Sequence, residues 1–368
     1  MRRSLLLLLA PTLAAAQRPD TTGEALRALP FVDYEPRSTL VVPEHRPTRA
    51  KYPFVDVHGH QRIDMTSDQI DRLVGEMDAM NMRVMVNLSG RQGDALAKGV
   101  RAYDAKHPRR IVVFANLDFR GIGEPGWGAR AAAQLERDVK EGGAVGLKIF
   151  KNLGMDVTDA EGRVPTDDPR LDPVWRKAGE LNVPVLIHTA EPKVFDEPVD
   201  RHNERWLELT QFPDRRRDAA RYPEWEVLMR EQHNVFRKHK GTRFIAAHLD
   251  WMGNDLARLG ALLDSLPNVY TELGAVLHEL GRQPRAARAF LVKYQDRVLM
   301  GKDTYNAEEY RTYFRVFETA DEYFDYYRRR HAFWKLYGLD LPDEVLRKIY
   351  YRNALRVVPG IDASQFPR

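Results

Sequence analysis

The chain has 368 residues, with 57 Lys and Arg against 53 Asp and Glu, a formal charge of +4, 43% hydrophobic and 30% charged residues, and no cysteine. That balance is globular and excludes a disordered chain, while basic residues scattered among acids exclude a nucleic-acid partner. Without cysteine there is no disulfide or thiolate chemistry, so a transition-metal site has to be built from His, Asp, Glu or a modified Lys.

The first residues, "MRRSLLLLLAPTLAAAQ", combine basic Arg2 and Arg3, an apolar run from Leu5 to Ala15, and small residues at Ala14 and Ala16. Residues 1–16 therefore read as a signal peptide cleaved near Ala16, and the run is too short to span a bilayer. The mature form is expected to be exported, periplasmic or secreted, with no membrane segment. Residues 17–53, rich in Pro, Arg and Thr, read as an extended N-terminal arm.

From residue 54 onward β-branched runs alternate with segments of helical period. The strand candidates are "YPFVDVHGH" (52–60), "MRVMVNLS" (82–89), "RIVVFANLDF" (110–119), "AVGLKIFKN" (144–152), "VPVLIHTAE" (183–191), "RFIAAHLDW" (243–251), "NVYTELGAV" (268–276) and "RVLMGKDTY" (297–305). Between the first two, Ile70, Leu73, Val74, Met77 and Met80 recur at helical spacing behind a cap at Thr66 or Ser67. Apolar strands alternating with helices make a parallel sheet covered on both faces. Eight such units, with no G-x-G-x-x-G after the first strand, predict an α/β fold, a (β/α)8 TIM barrel over 54–368 as a single domain. The connection after the fifth strand, about 191–240, is long and carries Trp206, Phe212, Tyr222 and Trp225, which predicts an insertion over the barrel mouth. The tail from Asp321 reads as helices that complete the outer layer.

Chemistry collects at the strand ends. His58 and His60 are two residues apart and share one side of the first strand. His188 ends the fifth strand, His248 the sixth and Asp303 the eighth. Five groups able to bind or serve a metal thus end four strands at the face where such barrels keep their sites. Neutral imidazoles and a carboxylate suit Zn2+ or a similar borderline ion. Lys148, within the fourth strand, is a cation aimed at the mouth or the partner of Asp303 or Glu272. Glu272, ending the seventh strand, is a candidate hydrogen-bond partner of a ligand histidine. Lys151 reads as a solvated charge, and His202, in the insertion, is the one remaining histidine to test for substrate contact.

This constellation, from "DVHGH" to the closing "IYYRNALRVV", resembles the amidohydrolase superfamily, in particular its amidohydrolase-related branch of hydrolases, lactonases and decarboxylases. The resemblance implies that His58, His60, His188 and Asp303 hold one divalent ion and that His248 orients substrate or moves a proton. In binuclear members the lysine at the position of Lys148 is carboxylated and bridges two metals; one ion per chain is the expectation here, two if Lys148 is so modified. The eighth strand, "GKDTYN", departs from the pattern, since many relatives carry a small residue where Lys302 stands.

The expected function is hydrolysis of an ester, lactone or amide bond of a small-molecule substrate by metal-activated water, with Asp303 as base and His248 or Lys148 steadying the oxyanion. The alternatives are non-oxidative decarboxylation of an aromatic or unsaturated acid, and a non-catalytic binding protein on the same barrel. A homodimer is the expected assembly.

Overall fold

The computed structural model describes residues 28–368, so the signal-peptide expectation for residues 1–16 and the start of the arm lie outside the described residues. The chain divides into two units at Val41. In the first, the described residues hold one short 3-10 turn, Phe31–Asp33.

The second unit, Val42–Arg368, contains the barrel. Its strands are β1 (Phe54–Gly59), β2 (Met82–Asn87), β3 (Ile111–Asn116), β4 (Gly146–Ile149), β5 (Val185–Ile187), β6 (Phe244–Ala246), β7 (Val269–Glu272) and β8 (Val298–Leu299). They form one sheet in chain order, and every pair within it is parallel. β8 returns to β1 through Val57 N donating to Met300 O at 2.9 Å and Asp303 N donating to His58 O at 2.7 Å. That seam is a parallel bridge between Gly59 and Asp303. Closure therefore sets the first histidine pair beside the carboxylate that ends β8.

Each strand is followed by a helix: α1 (Ser67–Ala79), α2 (Gly93–Asp104), α3 (Trp127–Lys140), α4 (Asp172–Glu180), α5 (Trp225–Lys238), α6 (Leu256–Ser265), α7 (Pro284–Lys293) and α8 (Ala307–Glu318). In α1 the cap is Thr66, with a reciprocal capping box to Gln69, and Ile70, Leu73, Val74 and Met77 are buried. This is a (β/α)8 barrel. All six residues of β1 are buried, as a strand with the lumen on one side and helices on the other requires.

Two segments differ from the expectation. Trp225–Lys238 of the expected insertion is the ordinary helix between β5 and β6, which leaves 188–224 as the extra chain, with only a short helix at Trp206–Gln211 and 3-10 turns at Lys193–Phe195 and Pro213–Arg215. The tail from Asp321 is irregular until Asp343, crossed by a Phe324–Leu336 bridge. It turns helical at Asp343 and stays so to Val357, through Asp343–Arg347, a π-helical turn at Lys348–Arg352 and Asn353–Val357. There Asn353 Nδ2 donates to the carbonyls of Gln295 and Val298, both at 2.7 Å, and ties the tail to the approach to β8. Among the described residues no helix is long and apolar enough to cross a membrane.

Candidate metal centre

The alternation of β1 turns His58 and His60 toward the same side, with ring centroids 5.2 Å apart. His58 Nδ1 lies 2.9 Å from Glu272 Oε1, and because a carboxylate only accepts, that nitrogen carries the proton. Its Nε2 is left with a lone pair, buried and without a hydrogen-bond partner, 3.8 Å from Asp303 Oδ1. His60 is held by Nδ1 against Ser89 Oγ at 2.8 Å, and its Nε2 is 3.5 Å from the same Asp303 oxygen. Two donors each about 2.1 Å from a shared ion at a tetrahedral angle stand about 3.4 Å apart, so His58, His60 and Asp303 fit a divalent cation. They form one of two groups among the described residues whose ligand atoms all lie within 4.8 Å of one another.

The other group, His58, His248 and Glu272, is the support for the first. Glu272 is fully buried, and its Oε1 accepts from His58 Nδ1 and from the His248 backbone N–H at 2.7 Å, while Oε2 accepts from Gly274 N at 2.5 Å. Its oxygens are occupied by donors, so it orients His58 and does not compete for the ion. Gly301 is small for the same reason: a Cβ there would sit 2.2 Å from Glu272 Oε2.

His248 follows β6 on a turn of left-handed backbone, with φ of 59°, 54°, 56° and 51° at His248, Leu249, Asp250 and Trp251. Such a run is unfavourable for residues with a Cβ and is held by tertiary bonds. Asp250 receives Gln232 Nε2 and is 2.7 Å from His233 Nε2, both on α5, and Trp251 Nε1 donates to Ala190 O at 3.3 Å. The turn stacks the His248 ring on Trp251 with centroids 4.4 Å apart. His248 Nδ1 faces the Gly274 carbonyl at 2.8 Å and must donate, so its Nε2 accepts from His188 Nδ1 at 3.3 Å. That leaves His188 Nε2 as a second buried bare nitrogen with no partner, 4.0 Å from Glu191 Oε2. Of the four residues expected to hold the ion, the structure thus brings His58, His60 and Asp303 together and keeps His188 beside them, paired with His248.

Electrostatics favours lone pairs here. Burial, aided by the Lys148 cation, lowers the His60 pKa to about 4 and holds His58 well below its ordinary value. Burial opposes ionisation of Asp303, but His58, His248, His60 and Lys148 outweigh it and hold its pKa below the usual value. Lys148 is buried with its Nζ unpartnered, 5.5 Å from the centroid of the Phe150 ring, and burial pushes its pKa down to about 8. The expected salt bridge from Lys148 to Asp303 or Glu272 is therefore not formed.

The mouth is a pocket of about 180 Å3 that reaches from His188, His248 and Asp303 to the extra chain after β5 and to the tail. Lys151, expected as a solvated charge, lines it and pairs with Glu191, because β4 ends at Ile149 and the chain turns toward the mouth. His202, expected near substrate, is exposed against Arg201 Nε at 3.0 Å and lies outside the pocket. His278 and His331 line it instead, with Arg205, Arg215 and Arg328. Nothing in their local sequence marks them, since only the return of distant segments over the barrel puts them there. Around the pocket the basic Lys151, Arg205, Arg215 and Arg328 face the acidic Glu191, Glu208 and Asp303, and each basic group lies within ion-pair distance of a carboxylate: Lys151 with Glu191, Arg205 and Arg215 with Glu208, and Arg328 with Glu309.

The profile of the amidohydrolase family matches residues 55–360. The chain belongs to that family. No curated protein matches this amidohydrolase. Among solved structures it resembles 2,6-dihydroxybenzoate decarboxylase complexed with 2,6-dihydroxybenzoate, at 16% identity over 83% of this chain and 99% of that one, TM-score 0.51. The 4-oxalomesaconate hydratase of Rhodopseudomonas palustris aligns at 15% identity over 84% and 97%, TM-score 0.51. The 5-carboxyvanillate decarboxylase of Novosphingobium aromaticivorans, solved with manganese and 4-hydroxy-3-methoxy-5-nitrobenzoic acid, aligns at 14% over 85% and 99%, TM-score 0.50. The family gives this chain an enzyme's architecture, and its trio of His58, His60 and Asp303 suits a divalent metal.

Proposed function

We propose that this amidohydrolase hydrolyses an ester, lactone or amide bond in a small molecule that carries an anionic group. The observation that supports the reading best is the Asp303 carboxylate, held ionised 3.5 Å and 3.8 Å from His60 Nε2 and His58 Nε2, the latter a bare, buried nitrogen. His58, His60, Asp303 and, after a turn of its ring away from His248, His188 would hold the ion, Zn2+ in this reading. A divalent ion there supplies a Lewis acid that polarises the scissile carbonyl and brings the pKa of water toward neutrality. Asp303 takes the proton of the attacking water, and hydrolysis adds that water's oxygen to the acyl carbon while the leaving group takes up a proton. Lys148, a buried cation with no partner, faces the developing oxyanion. His248 Nε2, bare once His188 turns away, moves the proton to the leaving group.

The basic side chains around the pocket, Lys151, Arg205, Arg215 and Arg328, can exchange a protein carboxylate for one on a bound molecule, which favours a substrate with a carboxylate. This also supports a second reading, decarboxylation of an aromatic or unsaturated acid, which the aromatic walls Phe195, Trp251 and Tyr326 would accommodate. Zn2+-loaded and Mn2+-loaded protein, screened against lactones, esters and amides bearing a carboxylate and against aromatic acids, decides between them. Hydrolysis products without carbon dioxide support the first reading; release of carbon dioxide replaces it with the second. If Asp303→Asn binds a turned-over substrate as before yet keeps full turnover, Asp303 is not the base.

A further inference from the structure

Lys302 stands directly before Asp303, with its side chain wholly buried. Its ammonium donates to the Thr304 carbonyl and to Glu309 Oε2 in the first turn of α8. It sits 5.4 Å from the centroid of Tyr310 and 5.5 Å from that of Tyr327, so two aromatic faces stand where water would be. The Lys302 backbone N–H donates to Asp56 Oδ1 at 3.2 Å, and the same oxygen accepts from His58 N at 2.9 Å. Between these anchors Asp303 has a left-handed backbone, φ 81°, a conformation that a residue with a Cβ holds only when its surroundings impose it. Its own N–H is tied to His58 O, and the carbonyl of the next residue is tied to the Lys302 ammonium. Both flanks of Asp303 are therefore clamped, one by the barrel seam and one by Lys302.

We propose that Lys302 is a positioning residue, whose ammonium clamps the Asp303–Thr304 turn so that the Asp303 carboxylate faces His58 and His60 before any ion arrives. The inference rests on the metal-site reading above and adds a residue that touches neither ion nor substrate. The competing role is local charge balance: Lys302 neutralises the Glu309 carboxylate, and Arg328 Nη2 approaches that carboxylate at 3.5 Å. The two roles separate because only the first runs through the Thr304 carbonyl.

The test is titration of metal-free full-length protein with Co2+, read by its visible absorption, in wild type, Lys302→Met, Glu309→Gln and the double variant, with far-UV circular dichroism reporting the fold. A clamp at Thr304 predicts at least ten-fold weaker Co2+ binding and a changed absorption band in Lys302→Met, the same in the double variant, and an affinity within two-fold of wild type in Glu309→Gln. The double variant removes the half-buried Glu309 charge together with its Lys302 partner, so it decides the matter if Lys302→Met alone does not fold. A folded double variant with the affinity and spectrum of wild type overturns the inference and leaves the metal reading standing. Wild-type protein that binds no Co2+ overturns both.

Discussion

Replacing Glu272 with Gln changes one charge at the bottom of the site and almost no volume. The amide keeps one acceptor and turns the other oxygen into a donor. With its oxygen in the Oε1 position it still accepts from His58 Nδ1 and the His248 backbone N–H, but its NH2 then meets the Gly274 N–H that Oε2 had accepted. The flipped amide would lose two donors to save one, so the first orientation prevails. Leaving a buried N–H unmet costs about 1–3 kcal/mol, and turning two charge-assisted bonds into neutral ones costs about 1 kcal/mol each. Glu272→Gln should therefore destabilise the fold by about 3–5 kcal/mol in urea unfolding. A neutral amide also withdraws the charge that raises the basicity of His58 Nε2, and loss of such a partner typically weakens metal binding about 10–100-fold. Chelator competition with Zn2+ on the folded variant measures this. A stability loss of the expected size with unchanged Zn2+ affinity would refute the claim that Glu272 prepares His58 as a ligand.

The remaining predictions address other parts of the site. Gly301→Ala places a Cβ 2.2 Å from Glu272 Oε2 and should weaken Zn2+ binding by displacing that carboxylate, with circular dichroism unchanged; a wild-type affinity would show that Glu272 is free to move. Lys148→Met removes a buried cation whose pKa has fallen from 10.5 to about 8, which at about 1.4 kcal/mol per unit is about 3 kcal/mol of strain against the folded state. A depressed lysine makes its unfavourable contribution below pH 8 and loses it as the pH rises toward 10.5, so the gain of the variant in urea should be full at pH 7 and shrink through that window. A variant no more stable than wild type at pH 7 contradicts it. Protein expressed from Met1 onward and recovered from outside the cytoplasm should begin at Gln17 by N-terminal sequencing, and an intact Met1 in such material would count against a cleaved leader.

The fold and much of the site followed from local pattern. Strand and helix periods are properties of neighbouring residues, so the eight βα units, a cap at Thr66 or Ser67 and the strand ends carrying His58, His60, His188, His248 and Asp303 could be read before any coordinates. Where a residue's role depends on a distant partner, the pattern was silent or misleading. Lys151 looked solvated because its partner Glu191 is contributed by the next βα loop, and His202 looked better placed than His278 or His331 because only the path of 188–224 decides which side chains reach the pocket. Which nitrogen of His58 and of His248 keeps its lone pair was settled by Glu272 and Gly274, each remote in sequence from the imidazole it meets. The sequence alone determined which groups end the strands, because side-chain alternation is built into every strand. The tertiary structure decided how they face one another, because barrel closure, the left-handed turns at His248 and Asp303, and the buried charges beneath them exist only once the first and last strands meet.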